Sequence, residues 1–273
     1  EKWNLKPKGV PITIYVPTGF FNEYKETGLP ADKPFSIKTS ELNASDWSEI
    51  FDVKPTHPIG ILIEKSLRNV KETIGNNYEI EDIISIIKKD KTVSQHVRDA
   101  TENRLRSASR FGLFSNEGTE LKDLVNGGEV AVIDLSAYSK SSGGWNIKNL
   151  VVGIISKKLL RERIVSRKLE ELENIAIGKG MFIETDTELE KPLIWLMIDE
   201  AHEFISNERD TATSDALVQL LREGRQPGIS LVLATQQPAS LKQDALTQSD
   251  IVIGHRITAE IDIKALNSIM QSY

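Results

Sequence analysis

An α/β fold, a mostly parallel sheet sandwiched by helices and carrying a helical insertion, is predicted by three features of the sequence. Short β-branched and aliphatic runs recur at residues 12–16, 129–135, 193–198 and 229–235. Longer stretches with apolar residues at helical spacing separate them, an alternation that implies crossovers between parallel strands covered on both faces. Two of the runs end in polar side chains, Asp199-Glu200 and Gln236. Open parallel sheets present ligand groups at such carboxyl ends.

The first run, Ile12-Thr13-Ile14-Tyr15-Val16, is bounded by Pro11 and Pro17 and reads as a short strand. Residues 18–34 carry glycine and proline and read as loop, and residues 42–51 as a short helix capped by Ser45 or Asp46. From 58 to 114 the pattern is helical, with Ile59, Leu62, Ile63, Leu67 and Val70 on one stripe and Ile83, Ile84, Ile86 and Ile87 on another. Asn126-Gly127-Gly128 turns the chain into the strand at 129–135. A long helix is expected over 147–173, then strand 193–198, helix 214–223 ending at Gly224, strand 229–235, a short strand at 251–253 and a last helix capped by Thr258. The organisation expected is residues 1–55 as the N-terminal part of the α/β core, 56–115 as the helical insertion, and 116–273 as the rest of the core.

Across 273 residues the hydrophobic content is 39%, the charged content 27% and the net charge −6. These values fit a globular protein with a sizeable core and exclude a generally basic coat for nucleic acid. A locally basic channel remains compatible, because the field at a pore depends on a few residues. The absence of cysteine excludes disulfide scaffolds and thiolate metal sites, and a cytoplasmic location is expected. No apolar run is long enough to span a bilayer.

Adjacent carboxylates at the end of a buried strand suit nucleotide hydrolysis. Asp199 can hold Mg²⁺ through water, and Glu200 can orient or deprotonate the attacking water. Gln236 ends the next strand, where an amide can bond a terminal phosphate or that water. His202 completes an Asp-Glu-Ala-His tetrad and either orients Glu200 or packs. Arg222 and Arg225 bracket Gly224. They suit the negative end of a helix dipole, and a guanidinium there can also stabilise a transferring phosphoryl group across a subunit interface. Arg225 is expected on the active edge of the sheet, facing away from its own pocket, with Arg222 as a weaker nucleotide contact.

The pattern G-x-x-x-x-G-K-[ST], whose backbone amides cradle phosphates, does not occur; Gly178-Lys179 is followed by Gly180 and lacks the upstream glycine. The chain is therefore expected to begin after its own phosphate loop. The small-residue loop at 139–144 contributes Lys140, Ser141 and Gly143, and Lys148 follows it, a set suited to nucleic-acid backbone contact without base readout.

The stretches Trp195-Leu-Met-Ile-Asp-Glu-Ala-His202 and Leu221-Arg-Glu-Gly-Arg-Gln-Pro-Gly-Ile-Ser-Leu-Val-Leu-Ala-Thr-Gln-Gln-Pro238 resemble the HerA/FtsK superfamily of RecA-like ring translocases, and most closely the archaeal HerA-type ATPases. Ile133-Asp-Leu-Ser136 fits the same pattern. The resemblance implies a RecA-like core in a hexameric ring that hydrolyses ATP with Mg²⁺ and moves along double-stranded DNA, in some cases with a NurA-type nuclease in DNA-end resection. It also implies that Asp199 and Glu200 form the Walker B pair, Gln236 the sensor and Arg225 the trans-acting arginine finger. The missing phosphate-loop lysine and serine or threonine depart from the family pattern. Within the superfamily, a conjugative coupling protein or a viral packaging motor is the nearer rival. A DEAH-box RNA helicase fits less well, because Arg225 precedes the sensor strand and little chain follows it. A non-catalytic assembly module is the reading from a different class.

Overall fold

The computed structural model describes residues 9–140, 143–178 and 192–270, which divide into two compact units, residues 1–150 and 151–273. The first unit is built on a three-stranded parallel sheet. Strand β1 (Ile12–Pro17) lies between β2 (Lys33–Phe35) and β5 (Val130–Ile133), with Ile12 opposite Val130 and Tyr15 opposite Lys33. Pro34 cannot donate to a ladder and sits on the edge strand β2, where a missing donor is tolerated. Helix α1 (Phe21–Glu26) and β2 occupy a stretch that the glycines and prolines had marked as loop. In neither element does the sequence show a periodicity long enough to read.

Helix α2 (Ala44–Ile50) is capped by Asn43, whose carboxamide oxygen accepts from the Ser45 and Asp46 amides while Asp46 accepts from the Asn43 amide. Asp46 thus closes the capping box at its fourth position instead of opening it. Short parallel strands β3 (Ile37–Lys38) and β4 (Phe114–Ser115) bracket α2 and three further helices, α3 (Pro58–Ile74), α4 (Ile80–Lys89) and α5 (Gln95–Ser109). Pro58 pre-sets the first turn of α3, and Gly75, at φ 87°, ends it. Of the predicted stripes, Ile59, Leu62, Ile63, Leu67 and Val70 on α3 and Ile83, Ile84 and Ile87 on α4 are buried, and Ile86 is half-buried. Gly19 and Gly112 pass so closely that a Cβ on Gly112 would stand 2.3 Å from the Gly19 Cα, and the Gly19 amide donates to the Gly112 carbonyl at 2.8 Å. The short helix α6 (Leu121–Leu124) precedes β5, and helix α7 (Gly144–Gly178) begins in this unit and continues into the second.

In the second unit, β6 (Ile194–Ile198) and β7 (Ile229–Leu233) pair in parallel, Ile194 opposite Ile229 and Ile198 opposite Leu233. The crossover helix α8 (Ala212–Glu223) starts at a capping box of Thr211 and Ser214. Leu196, Ile198, Leu231 and Leu233 join Leu217, Val218 and Leu221 of α8 in one apolar core, closed by Phe204, Ile205 and Leu241. Within this unit the opposite face of β6 is open. Leu193, Trp195 and Met197 are 73%, 67% and 68% exposed there, since no described element packs over them.

Helix α9 (Gln243–Thr247) and helix α10 (Glu260–Met270) complete the described residues. The last helix begins two residues beyond the expected Thr258 cap. Residues 251–253 form no strand, and Ile251 and Ile253 are about 80% exposed; an apolar triplet without a neighbouring edge has no ladder to join. No described helix is long and apolar enough to cross a membrane.

Candidate functional site

The joined carboxyl ends of β6 and β7 bring the predicted hydrolytic residues together. The ladder continues past both strands: the Ala234 amide donates to Ile198 O and the Ala201 amide to Ala234 O, each at 2.9 Å. Asp199 and Glu200 leave β6 at this point, and Thr235, Gln236 and Gln237 leave β7 beside them. Glu200 adopts a left-handed backbone, φ 48° and ψ 45°, which turns the chain from the strand into the 3₁₀ turn Ala201–Glu203. A non-glycine residue held there costs on the order of 1–3 kcal/mol, and such strain clusters where a side chain must be aimed.

The Gln236 side-chain amide donates to Glu200 Oε1 at 2.6 Å. The other carboxylate oxygen, Oε2, is buried and accepts no hydrogen bond, although His202 Nδ1 stands 3.4 Å away. Separation and orientation differ here: the distance suits an electrostatic contact, but the alignment falls short of a hydrogen bond. His202 Nδ1 lies nearer to Thr235 Oγ1, at 3.1 Å, and Thr235 Oγ1 accepts from the Gln237 amide at 3.0 Å. Asp199 Oδ1 accepts from the Glu200 amide at 2.9 Å, and the Asp199 residue is exposed. An exposed carboxylate with an oxygen left over fits a divalent ion held through water. Among the described residues no cluster of three or more His, Asp or Glu could hold a metal by itself.

Arg225 is elsewhere. It lies between α8 and β7, at the amino end of the strand whose carboxyl end carries Gln236. The Gly228 carbonyl accepts from the Ile194 amide and the Gly224 carbonyl from the Ile229 amide, which ties the loop to the starts of both strands. The five residues of β7 and those flanking it separate Arg225 from Gln236 by on the order of 15 Å or more. The expectation that Arg225 shares the active edge is therefore corrected. A crossover helix returns the chain to the amino edge before the next parallel strand, so the residues closing α8 land opposite the acids. The Arg225 guanidinium is exposed and makes no hydrogen bond or ion pair among the described residues. Arg222 belongs to the same end of α8 and is engaged by Asp244 at 2.6 Å, so it is not placed beside Glu200.

One residue of this loop system escaped the sequence reading. Arg163 of α7, one of several cations interleaved with glutamates along that helix, is only 3% exposed and donates through Nε to Pro227 O at 2.7 Å, with Glu170 at 3.4 Å from its Nη1. It holds the turn that carries Arg225. Nothing in its spacing distinguishes it from the neighbouring cations.

The candidate nucleic-acid residues lie in the first unit. The 3₁₀ turn Ser136–Lys140 follows β5, Gly143 takes φ 77°, and Gly144 opens α7 so close to Tyr138 that a Cβ would stand 1.9 Å from its carbonyl oxygen. Lys148 is half-buried on the first turns of α7, and Ser141 lies outside the described residues. Of the insertion arginines, Arg98 donates to the Asp90 and Val93 carbonyls and Arg106 pairs with Glu102. Both cations serve the helical unit itself.

No family model matches the chain. It is 31% identical over 147 residues to the probable DNA double-strand break repair helicase HerA of Methanocaldococcus jannaschii, covering 50% of this chain and 28% of that protein. It is 21% identical over 250 residues to the DNA double-strand break repair helicase HerA of Sulfolobus acidocaldarius, covering 84% and 46%. The chain thus spans less than half the length of these relatives. Among solved structures, VirB4 of Thermoanaerobacter pseudethanolicus superposes with a TM-score of 0.53 at 13% identity, covering 96% of this chain and 74% of that one. That likeness concerns the fold, which is RecA-like. In sequence the chain is thus similar, over part of its length, to proteins named HerA, and in fold it is RecA-like.

Proposed function

We propose that the protein is an ATP-dependent motor that moves along double-stranded DNA, acting as a HerA-type hexameric helicase in double-strand break repair with a NurA-type nuclease. The observation that carries this reading is the contact between Gln236 and Glu200 at the joined ends of β6 and β7. It brings an acid and an amide from two strands to one point, where a nucleotide's terminal phosphate can be both attacked and sensed. The HerA-named relatives support the DNA-repair assignment.

ATP with Mg²⁺ supplies the phosphoryl group and neutralises charge on it. Asp199 would hold a divalent ion, its free oxygen reaching it through water. Glu200 orients the attacking water and takes its proton on a carboxylate oxygen. Gln236 leaves Glu200 for the terminal phosphate and so reports its presence. Arg225 supplies a guanidinium to the site of the adjacent subunit, and its place at the opposite end of β7 argues against service to its own. Lys140, Ser141, Gly143 and Lys148 contact the DNA backbone.

The test is ATP hydrolysis by the full-length protein with and without linear duplex DNA, paired with displacement of a third strand from a triplex. DNA-stimulated hydrolysis and triplex displacement, both lost in Glu200→Gln, are expected. Hydrolysis indifferent to DNA, or absent altogether, overturns the reading.

A further inference from the structure

We infer that His202 and Thr235 are positioning residues that hold Glu200 as a base when Gln236 lets go of it, an inference that rests on the assignment of Glu200 above. Glu200 has two partners in this structure and they differ in kind. Gln236 grips Oε1 through a side chain that must move if it is to sense a phosphate. His202 faces Oε2 from the 3₁₀ turn that immediately follows Glu200, so its position is set by the backbone. The side chain of His202 is only 18% exposed, against 38% for Glu200.

The surroundings of Nδ1 favour the tautomer that carries the proton there. An unprotonated Nδ1 would bring its lone pair near a carboxylate oxygen 3.4 Å away, which is repulsive. With the proton on Nδ1, the ring donates to Thr235 Oγ1 and presents the positive end of the N–H to Glu200 Oε2. Thr235 Oγ1 has two lone pairs, one used by the Gln237 amide and the second available to His202. Its own O–H stays free to donate. The Gln237 amide, Thr235 and His202 thus form a chain anchored in the backbone after β7 and ending at the buried oxygen of Glu200.

This arrangement explains why Oε2 is buried without a hydrogen bond. The proton that favours its charge is shared toward Thr235, so the carboxylate is steadied by a dipole and not neutralised by a bond. Once Gln236 departs, Oε1 is freed for the attacking water while His202 keeps the carboxylate from rotating. The Asp-Glu-Ala-His tetrad then has one physical reason: the second residue is aimed by the fourth across a single turn.

The chemistry singles out one nitrogen, and amide replacements test it. The side-chain nitrogen of asparagine can occupy the place of Nδ1, whereas that of glutamine reaches only the place of Nε2. In the full-length protein, His202→Leu and His202→Gln are expected to lower kcat roughly tenfold or more, the scale found for lost partners of a functional side chain, with KM for Mg-ATP little changed. His202→Asn recovers most of that loss. Thr235→Val lowers kcat as well, and the pair His202→Leu with Thr235→Val is no worse than His202→Leu alone, since both cut one chain. Melting temperatures of every variant separate misfolding from mispositioning. Activity that follows side-chain volume, with Leu and Gln above Asn and in step with melting temperature, shows packing and overturns the inference. So does wild-type kcat in all three His202 variants. If instead Glu200→Gln hydrolyses ATP like the wild type, the assignment of Glu200 has failed, and His202 with it.

Discussion

Gln236 donates to Glu200 Oε1 across the ends of two parallel strands, at 2.6 Å and over 36 positions of sequence. An acid that is to activate water is thus held by the amide that is to sense phosphate. Removing the carboxylate should separate binding from chemistry. Glu200→Gln in the full-length protein is expected to bind Mg-ATP as the wild type does and to turn over about a hundredfold more slowly, as for loss of a positioned base. Isothermal titration with single-turnover hydrolysis measures both, and unchanged turnover demotes Glu200 to a residue of the turn.

Gln236→Ala frees Glu200 and removes the sensor together. Basal hydrolysis is expected to fall roughly tenfold or more, and stimulation by duplex DNA to fall further than the basal rate. A variant with normal DNA stimulation would place the sensor elsewhere.

Arg225 gives a test in mixed rings. Arg225→Ala and Glu200→Gln subunits, each strongly impaired alone, are expected to regain hydrolysis when mixed, at interfaces joining an intact Glu200 to an intact Arg225. A cross-subunit guanidinium is worth on the order of 10³–10⁵ in rate in well-studied NTPases. Mixed rings of confirmed composition that stay inactive at every ratio remove the trans assignment.

The helical segment carries a pH-dependent tie. The Lys65 ammonium bonds Asp90 at 2.6 Å and, with the Thr92 hydroxyl and amide, holds the carboxyl down to about 2. A depressed carboxyl stabilises the fold fully above its unfolded value near 4 and ceases to as pH falls toward 2. Lys65→Met is therefore expected to cost about 1 kcal/mol at neutral pH, allowing for solvent screening of the half-exposed lysine. In urea titrations the gap to the wild type should close between about pH 4 and pH 2; a gap independent of pH would assign the loss to packing.

The crossing of Gly19 and Gly112 admits no side chain. Gly112 has φ 58°, and its Cβ would stand 2.3 Å from backbone. Gly112→Ala is expected to cost at least about 1–3 kcal/mol by forcing the two segments apart. Denaturant unfolding that matched the wild type would show that the crossing can relax.

Much of the fold was legible because its signals are local. The apolar stripes of α3 and α4 and the runs of β1, β6 and β7 follow from period and side-chain type, and the acids Asp199 and Glu200 follow β6 as the sequence implies. That Gln236 sits near Glu200 also followed, since adjacent parallel strands end on the same edge. The same rule, applied to the whole crossover, would have sent Arg225 to the far edge, because α8 has to carry the chain back before β7 can start.

What the tertiary structure alone decided is pairing. Residues 251–253 have the composition of a strand but no described edge to bond, and Trp195 and Met197 have the composition of core but no described element above them. Arg163 reads as one cation in a solvated row, yet it is buried against Pro227 because one face of α7 meets the turn before β7. His202 could be named from the tetrad, but its contacts with Thr235 and Glu200 required the two strand ends to be in register. Side-chain type and spacing determine which surfaces a segment offers. Which surface meets which depends on contacts distant in sequence, and those exist only once the chain has folded.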